Sequence, residues 1–198
     1  MVGWIIKSFQ KNLFIVFILV IGTCSSYAQL NEAKMNQADR NWIVGIEYGF
    51  QMSGIKNEDF ISSNYSPVFR ASLGKWINQS IALKIGYQGR YFNAIADDIK
   101  HYYNFYYTEA VFDVKNILFK KKEKRTHELL FYLGPGYFYN FEYGRANIHG
   151  IIGASNNVLI TKGLNLNFDI SAIIGWDIYQ ENPPDVLPSI SIGVVHLF

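Results

Sequence analysis

Hydrophobic and polar residues alternate with a period of two over most of the chain after residue 40. In a β-strand this period places apolar side chains on one face and polar or small ones on the other. About eight such segments follow one another, separated by polar stretches that carry Gly, Asn, Asp or Ser. The clearest segment sets one row against another: Ile81, Leu83, Ile85 and Tyr87 against Ala82, Lys84, Gly86, Gln88 and Arg90. The pattern predicts an all-β protein.

The last segment indicates how the strands are arranged. Between residues 189 and 198 an apolar row of Ile190, Ile192 and Val194 alternates with serine and glycine. An open sheet that ended in such a strand would expose an edge able to pair with other chains. A closed barrel removes this edge, and in lipid its apolar face points outward. We therefore predict a closed antiparallel up-and-down transmembrane β-barrel of about eight strands, formed by residues 41–198.

The connections between the predicted strands alternate between long polar loops and short turns. Outer-membrane barrels keep short turns in the periplasm and long loops outside. The pattern thus predicts extracellular loops near residues 55–66, 93–101, 141–147 and 178–188. Aromatic residues at both ends of the strands fit two membrane interfaces. They are Trp42, Trp76, Phe119 and Phe198 on the turn side, and Phe50, Tyr91, Tyr139 and Trp176 on the loop side.

The alternation of the fourth strand predicts that this strand continues through Val114 and Lys115. The alternation is disturbed at two later places. Pro135 in the fifth strand predicts a bulge, because proline cannot donate to the ladder. The sixth strand, roughly 148–160, is the weakest, and Asn156-Asn157 within it is a candidate early turn.

The start of the chain has the pattern of a secretory signal peptide. Lys7 and Lys11 precede a short uncharged run at 13–22, and Ser26-Tyr27-Ala28 follows. A basic start, an apolar middle and small residues before the cleavage site are typical of such signals. We predict a signal peptide at 1–28. Residues 29–40 are then a short polar periplasmic lead.

Cys24 follows the apolar run and raises lipidation as an alternative. Thr23 immediately before it fits a lipoprotein signal poorly, so we favour ordinary cleavage after Ala28. The only cysteine would then leave with the signal, and the mature chain would have no thiol chemistry.

The charge balance narrows the classes of partner that the protein is expected to bind. The full chain has 18 basic and 16 acidic residues, and the signal removes Lys7 and Lys11, which leaves 16 of each. A formally neutral protein lacks the basic footprint that nucleic acid requires. We therefore expect no nucleic-acid partner.

The polar face of the strands carries charged residues that would point into the barrel. Buried charges need partners, and both signs are present in this set. An eight-stranded barrel is just wide enough to be filled by side chains. We therefore predict an ion-paired interior network without an open channel. Its members are Glu47, Arg70, Lys84, Arg90, Glu109, Asp113, Lys115, Asp169 and Asp177.

Several patterns together resemble a known family. They are the Ser-Tyr-Ala-Gln junction, Gly134-Pro135-Gly136, the strand-turn-strand unit 73–87 and the terminal Phe198. The chain resembles the small eight-stranded outer-membrane β-barrel proteins of the OmpA-like type. The resemblance implies insertion into the outer membrane of a Gram-negative-type bacterium, with the membrane lipid as partner. It also implies that Phe198 is the signal read by the outer-membrane insertion machinery.

The residues offer little for catalysis. Barrels that modify lipid A need a serine, a histidine and an acid gathered at one end. His101 and His149 are predicted near the outer rim, with Ser155 and Asp98 as candidate companions, but no histidine is followed two residues later by serine. No set of residues has metal-ligand spacing. We predict no catalytic residue, no metal and no cofactor.

The function predicted from the sequence is therefore that of a monomeric, non-enzymatic barrel with a structural, envelope-integrity or surface-interaction role. Any surface ligand would contact the loops, and no motif identifies it. Two alternatives stay open: a lipid-modifying barrel enzyme and a secreted lipocalin-like barrel. In a lipocalin, Leu83 and Ile85 would line an internal cavity, whereas in a membrane barrel they would face lipid.

Overall fold

The computed structural model describes residues 42–53, 65–93, 100–119, 126–178 and 184–198. The predicted signal peptide and periplasmic lead, at 1–28 and 29–40, lie outside the described residues. The strands are β1 (Trp42–Met52), β2 (Tyr65–Trp76), β3 (Ile81–Asn93), β4 (Lys100–Asp113), β5 (His127–Asn140), β6 (Arg145–Thr161), β7 (Leu164–Trp176) and β8 (Pro184–Leu197). A short helix, α1 (Val114–Phe119), follows β4.

The eight strands form a closed barrel in which each strand pairs antiparallel with the next. The closure joins β8 to β1, where Ile43 pairs with Leu197 and Gln51 pairs with Ser189. At the end of this seam the backbones of Trp42 and Phe198 exchange two hydrogen bonds, of 2.8 and 3.2 Å. No edge is left on the sheet, and the predicted up-and-down barrel is confirmed.

The apolar row of each strand points away from the barrel axis. Leu83 and Ile85 on β3 are 55% and 58% exposed, while Arg70 on the neighbouring strand β2 is 2% exposed. The lipocalin-like alternative is therefore wrong, because it requires Leu83 and Ile85 to line a cavity. An outward apolar face around a polar interior is the arrangement of a barrel that spans lipid.

The connections at one end of the barrel are short. Residues 77–80 join β2 to β3, and the Asn78 side-chain oxygen accepts hydrogen bonds from the backbone N–H groups of Ser80 and Ile81, at 2.8 and 2.9 Å. Two residues join β6 to β7, and Gly163 there has a φ of +81°, which favours glycine. The start of β1 and the end of β8 lie at this same end, which we call the turn end.

Strand β4 is shorter than predicted, because it stops at Asp113. Val114 and Lys115 belong to α1, so their predicted place in the strand is wrong. The Asp113 carboxylate accepts a hydrogen bond from the Asn116 backbone N–H at 3.1 Å, as a capping residue does at the start of a helix. In the described part of the chain no helix is long and apolar enough to cross a membrane.

Two predicted irregularities take another form. Strand β6 runs without a turn for 17 residues, and Asn157 accepts a hydrogen bond from the Asn167 amide at 2.7 Å inside the barrel. Its register shifts only near its end, between Leu159 and Thr161. Pro135 pairs in register with β6, and on the β4 side the ladder is interrupted there without a shift. The bulge predicted at Pro135 is therefore absent from both pairings.

One of the aromatic residues predicted to lie at a membrane interface, Trp76, points into the barrel instead. Trp76 is only 7% exposed and belongs to the buried apolar cluster of the interior, whereas Trp42 and Trp176 are exposed on the outer surface. The outward row of β2 consists of odd-numbered residues such as Leu73. Trp76, at the end of the strand, has an even number and therefore points inward.

Candidate functional site

Arg70 lies at the centre of the barrel interior and links three other strands. Its guanidinium is 2.5 Å from the carboxylate of Asp169 on β7, 3.3 Å from Glu47 on β1 and 3.9 Å from Glu109 on β4. All four side chains are buried. A single arginine thus joins strands from opposite sides of the barrel, because its long side chain reaches across the axis.

Lys84 on β3 supplies the second cation. Its ammonium lies 2.6 Å from a carboxylate oxygen of Glu109. The resulting ionic cluster has five members, namely Glu47, Arg70, Lys84, Glu109 and Asp169. Two cations face three carboxylates, so its formal charge is −1 when all five are ionised. A neutral donor also reaches one of the carboxylates, since the Ser191 hydroxyl donates to Glu47 at 2.9 Å.

Two tyrosines hold the Arg70 guanidinium between them. It donates to the Tyr132 hydroxyl at 3.0 Å and to the Tyr107 hydroxyl at 3.4 Å. Its Cζ lies 5.5 and 5.6 Å from the centroids of the same two rings, within the range of a cation–π contact. The Tyr132 hydroxyl in turn donates to the Asp169 carboxylate at 2.7 Å. The tyrosines therefore fix the geometry of the ionic cluster.

Glycines make room for these tyrosines. Gly86 pairs in register with Tyr107, and Gly153 pairs with Tyr132. A Cβ atom at either glycine would lie 2.4 Å from the facing ring. Each ring therefore lies flat over the backbone of the next strand, a position that any larger residue would block.

Apolar layers close the interior above and below the ionic cluster. Towards the end opposite the turns, which we call the loop end, Tyr103 and Phe138 stack with their ring centroids 5.0 Å apart. Phe105 packs beside Phe138 at 6.1 Å and is fully buried. Towards the turn end, Val111 and Leu130 are buried. Buried side chains thus lie on both sides of the cluster in the described part of the barrel, and the cluster itself cross-links strands.

The structure brings five of the nine predicted network residues together, and these are the members of the ionic cluster. Asp113 is buried at the turn end, where it caps α1, and Lys115 on α1 donates to the His127 carbonyl at 3.5 Å. Asp177 lies at the loop end, where it accepts a hydrogen bond from the Asn147 amide at 3.2 Å. Asp113 points inward and is buried, as predicted, but it ends β4 and lies outside the ionic cluster. The predicted inward places of Lys115 and Asp177 are wrong, because these two residues lie beyond the ends of their strands.

Arg90 is the fourth exception, and its cause is local. The residue is exposed, and its φ of +140° lies in the region that L-residues rarely adopt. This backbone conformation turns the side chain outward from a position that strand alternation assigns to the interior.

In the described part of the chain, the rim histidines contact backbone carbonyls and an aromatic ring. The Nδ1 and Nε2 atoms of His149 lie 3.2 and 2.9 Å from the backbone carbonyls of Asn147 and Trp176. His101 stacks on Phe92 with centroids 5.4 Å apart. Ser155 is six residues from His149 along β6, roughly 20 Å at the usual strand rise, so it is not a companion. Asp98 lies outside the described residues.

No metal centre is present in the described ranges, where no group of three or more His, Cys, Asp or Glu could hold an ion. The alternation of β4 and β5 predicts that Tyr107 and Tyr132 point inward, but it assigns them no role in the network. A signal existed, because each tyrosine is inward and pairs with a glycine on the adjacent strand.

Phe198 lies at the turn end with 58% of its surface exposed. Its ring packs on that of His196, with centroids 4.9 Å apart. The side chain is thus on the outer surface, beside the seam between β1 and β8.

Comparison with known proteins finds similar structures but no similar sequences. No protein-family model matches the chain, and no curated protein matches it in sequence. Neisserial surface protein A has a similar structure, with a TM-score of 0.51 and 13% identity over 79% of this chain and 97% of that one. The N-terminal β-barrel domain of Pseudomonas aeruginosa OprF has a TM-score of 0.47 and 10% identity over 79% and 98%. For Ail, the attachment invasion locus protein of Yersinia pestis, the values are 0.42 and 12% over 81% and 99%.

The likeness to Neisserial surface protein A, at 13% identity, concerns the fold alone. It agrees with the closed antiparallel register and with the outward apolar face. The chain is therefore a small eight-stranded transmembrane β-barrel that shares its fold with Neisserial surface protein A.

Proposed function

We propose that this chain is a non-enzymatic integral outer-membrane protein of a Gram-negative-type bacterium, with a structural, envelope-integrity or surface-interaction role. The proposal rests on the contrast between the apolar outer face of the barrel and its charged interior. The apolar rows, with residues such as Ile46 and Ile170 more than half exposed, surround a buried ionic cluster. Apolar residues in this number on the outside of a closed barrel are stable in lipid and a liability in water.

The absence of catalysis is part of the proposal and has support at the rim. Both ring nitrogens of His149 face backbone carbonyls, so the imidazole does not contact a serine hydroxyl. A histidine that activates a serine must reach its oxygen. Replacing His101 and His149 with glutamine should leave the mass spectrum of the cell's lipid A unchanged. A lost acyl modification in that spectrum would support the lipid-modifying alternative.

Cell fractionation tests the location. We expect the protein in the detergent-extracted outer-membrane fraction, starting at Gln29 by N-terminal sequencing. The folded barrel should migrate differently in heated and unheated gel samples, because a closed strand ladder resists detergent until it is boiled. Recovery from the periplasm or the medium without detergent would overturn the proposal. A lipid-modified Cys24 would overturn only the signal-peptide part of it.

The role of Phe198 in assembly is also a proposal. Its exposed ring beside the closing seam is accessible to the insertion machinery before the barrel closes. Phe198→Ala should lower the amount of heat-modifiable barrel in the outer membrane. Phe168→Ala, which also removes an outward ring, should not. Equal yields of both variants and the parent protein would contradict this role.

A further inference from the structure

Arg90 breaks the alternation of β3 without shifting its register. Position 90 pairs with the inward Tyr103, and position 92 pairs with the inward His101. Arg90 should therefore point inward, yet it is exposed and its φ is +140°. This backbone conformation is unfavourable for a residue with a Cβ atom, and it redirects a single side chain to the outer surface. Unfavourable conformations in otherwise regular elements concentrate at functional sites.

The interior side chains that pair with or flank position 90 are neutral. Phe92 is fully buried there, and the Tyr103 hydroxyl donates to the Gln51 side chain at 2.6 Å and accepts from Gln88 at 3.3 Å. These neighbours offer an inward guanidinium no charged partner, and burying a charge without one is costly. They explain why Arg90 is outside. They do not explain why this position carries a cation.

Lys100, at the start of β4, brings a second cation to the same outer face. It pairs in register with Asn93, but its ammonium lies 5.0 Å from the centroid of the Tyr91 ring. The side chain therefore runs back along β3 towards Arg90. The Tyr102 ring lies 5.7 Å from that of Tyr91. Within the described residues neither Arg90 nor Lys100 forms an ion pair.

These residues lie at the level where the apolar outer surface ends. Closer to the middle of the barrel, the outward Tyr87 donates to the Asn104 side chain at 2.9 Å, the first outward polar pair along β3 and β4. Tyr91 and Tyr102 follow towards the loop end. Tyrosine is enriched at membrane interfaces, because its ring is apolar and its hydroxyl is polar. With the loop end outside, the two cations lie at the headgroups of the outer leaflet.

We propose that Arg90 and Lys100 form a binding site for the phosphate of an anionic lipid headgroup in the outer leaflet. The planar guanidinium can donate two parallel hydrogen bonds to a phosphate, and the ammonium adds a compact point charge. The rings of Tyr91 and Tyr102 lie beside the cations, where a lipid's glycan and acyl chains meet. The site rests on the proposed outer-membrane location. The ligand class is a phosphorylated glycolipid such as lipid A.

The test uses the barrel purified from membranes in detergent, with lipid retention measured by native mass spectrometry. Diphosphorylated lipid A should bind the parent protein, and the double variant Arg90→Gln, Lys100→Gln should bind it about tenfold more weakly. Lipid A stripped of its phosphates should bind the parent protein as weakly as the double variant binds the intact lipid. Inorganic phosphate should not displace the lipid, because it lacks the acyl chains that anchor the headgroup.

The matched control removes the same charge at the other end. Lys75→Gln with Lys162→Gln, both exposed at the turn end, should retain lipid A as the parent protein does. Arg90→Gly relieves the backbone conformation, so it should keep the fold and still lose lipid. Equal retention by the Arg90, Lys100 double variant and the parent protein, or by phosphorylated and stripped lipid, would overturn the site.

Fractionation separates this failure from that of the proposed function. An outer-membrane barrel that does not retain lipid A would overturn only the phosphate site. A protein recovered without detergent would overturn the proposed location, whatever it binds in micelles.

Discussion

Arg70 and Asp169 are 99 residues apart in the chain, and Nη1 of the guanidinium lies 2.5 Å from Oδ1 of the carboxylate. The pair connects β2 to β7, which do not neighbour each other in the sheet. Backbone hydrogen bonds join only adjacent strands, so this contact stabilises the barrel across its axis. We therefore expect the loss of Arg70 to destabilise the interior.

Arg70→Met should destabilise the barrel strongly. The substitution leaves Glu47, Glu109 and Asp169 with Lys84 as the only cation of the cluster. Removing one partner of a buried ion pair costs about 3 to 5 kcal/mol. Urea titration in phospholipid vesicles, followed by tryptophan fluorescence, should show a fall of that size in the free energy of unfolding. Lys162→Met in the exposed β6–β7 turn should change it by less than about 0.5 kcal/mol. Similar losses for both variants would contradict the central place of Arg70.

Asp169→Asn should cost less than Arg70→Met, although it breaks the same contact. The cluster has two cations and three carboxylates, so its formal charge of −1 becomes 0 in Asp169→Asn and −2 in Arg70→Met. The asparagine oxygen can also still accept from Tyr132, which donates to Asp169 in the parent protein. In the same urea titration we expect a difference of about 2 kcal/mol between the variants. Equal costs would mean that the charge balance of the interior has little weight.

Gly153→Ala should destabilise the barrel by about 1 to 3 kcal/mol, because the new methyl group overpacks the interior. Its Cβ atom would lie 2.4 Å from the Tyr132 ring and 2.8 Å from the Ile170 carbonyl oxygen. Gly150→Ala on the same strand is the control, since its Cβ atom would meet nothing closer than 3.8 Å. We expect Gly150→Ala to be neutral within about 0.5 kcal/mol. A larger loss at Gly150 than at Gly153 would contradict the packing of Tyr132 over glycine.

The barrel itself was predictable because a period of two is a strong signal when one face must meet lipid. Strand β7 covers residues 164–176, where nothing interrupts the alternation of the sequence; only the predicted inward Asp177 lies beyond its end. The alternation of side chains along a strand also predicted that Glu47 and Asp169 face inward. Both predictions depend only on residues close together in the sequence.

The arrangement of the ionic cluster depends on contacts that the alternation of side chains does not determine. Alternation places Arg70 inside, but its contact with β7 depends on the shear of the closed barrel and on the reach of its side chain. Alternation also placed Arg90 inside, and a single positive φ reversed it. Strand ends were a third source of error, because Asp113 begins a helix cap where the pattern continued a strand.

The packed interior predicts that the purified barrel shows no steady conductance in planar lipid bilayers. Tyr107 and Tyr132 are at most 3% exposed and both accept hydrogen bonds from the Arg70 guanidinium, so we expect their rings to obstruct the passage of water and ions at this level. Truncating both to alanine should remove two rings from the same layer and give a small, steady conductance.

The matched control for that experiment lies on the same two strands. Tyr106 and Tyr137 pair in register, face outward and are about half exposed, so truncating both to alanine leaves the interior filled. That variant should remain closed. A large steady conductance in the parent protein would contradict the packed interior, because a lumen crossed by Arg70 and its partners leaves no room for a pore.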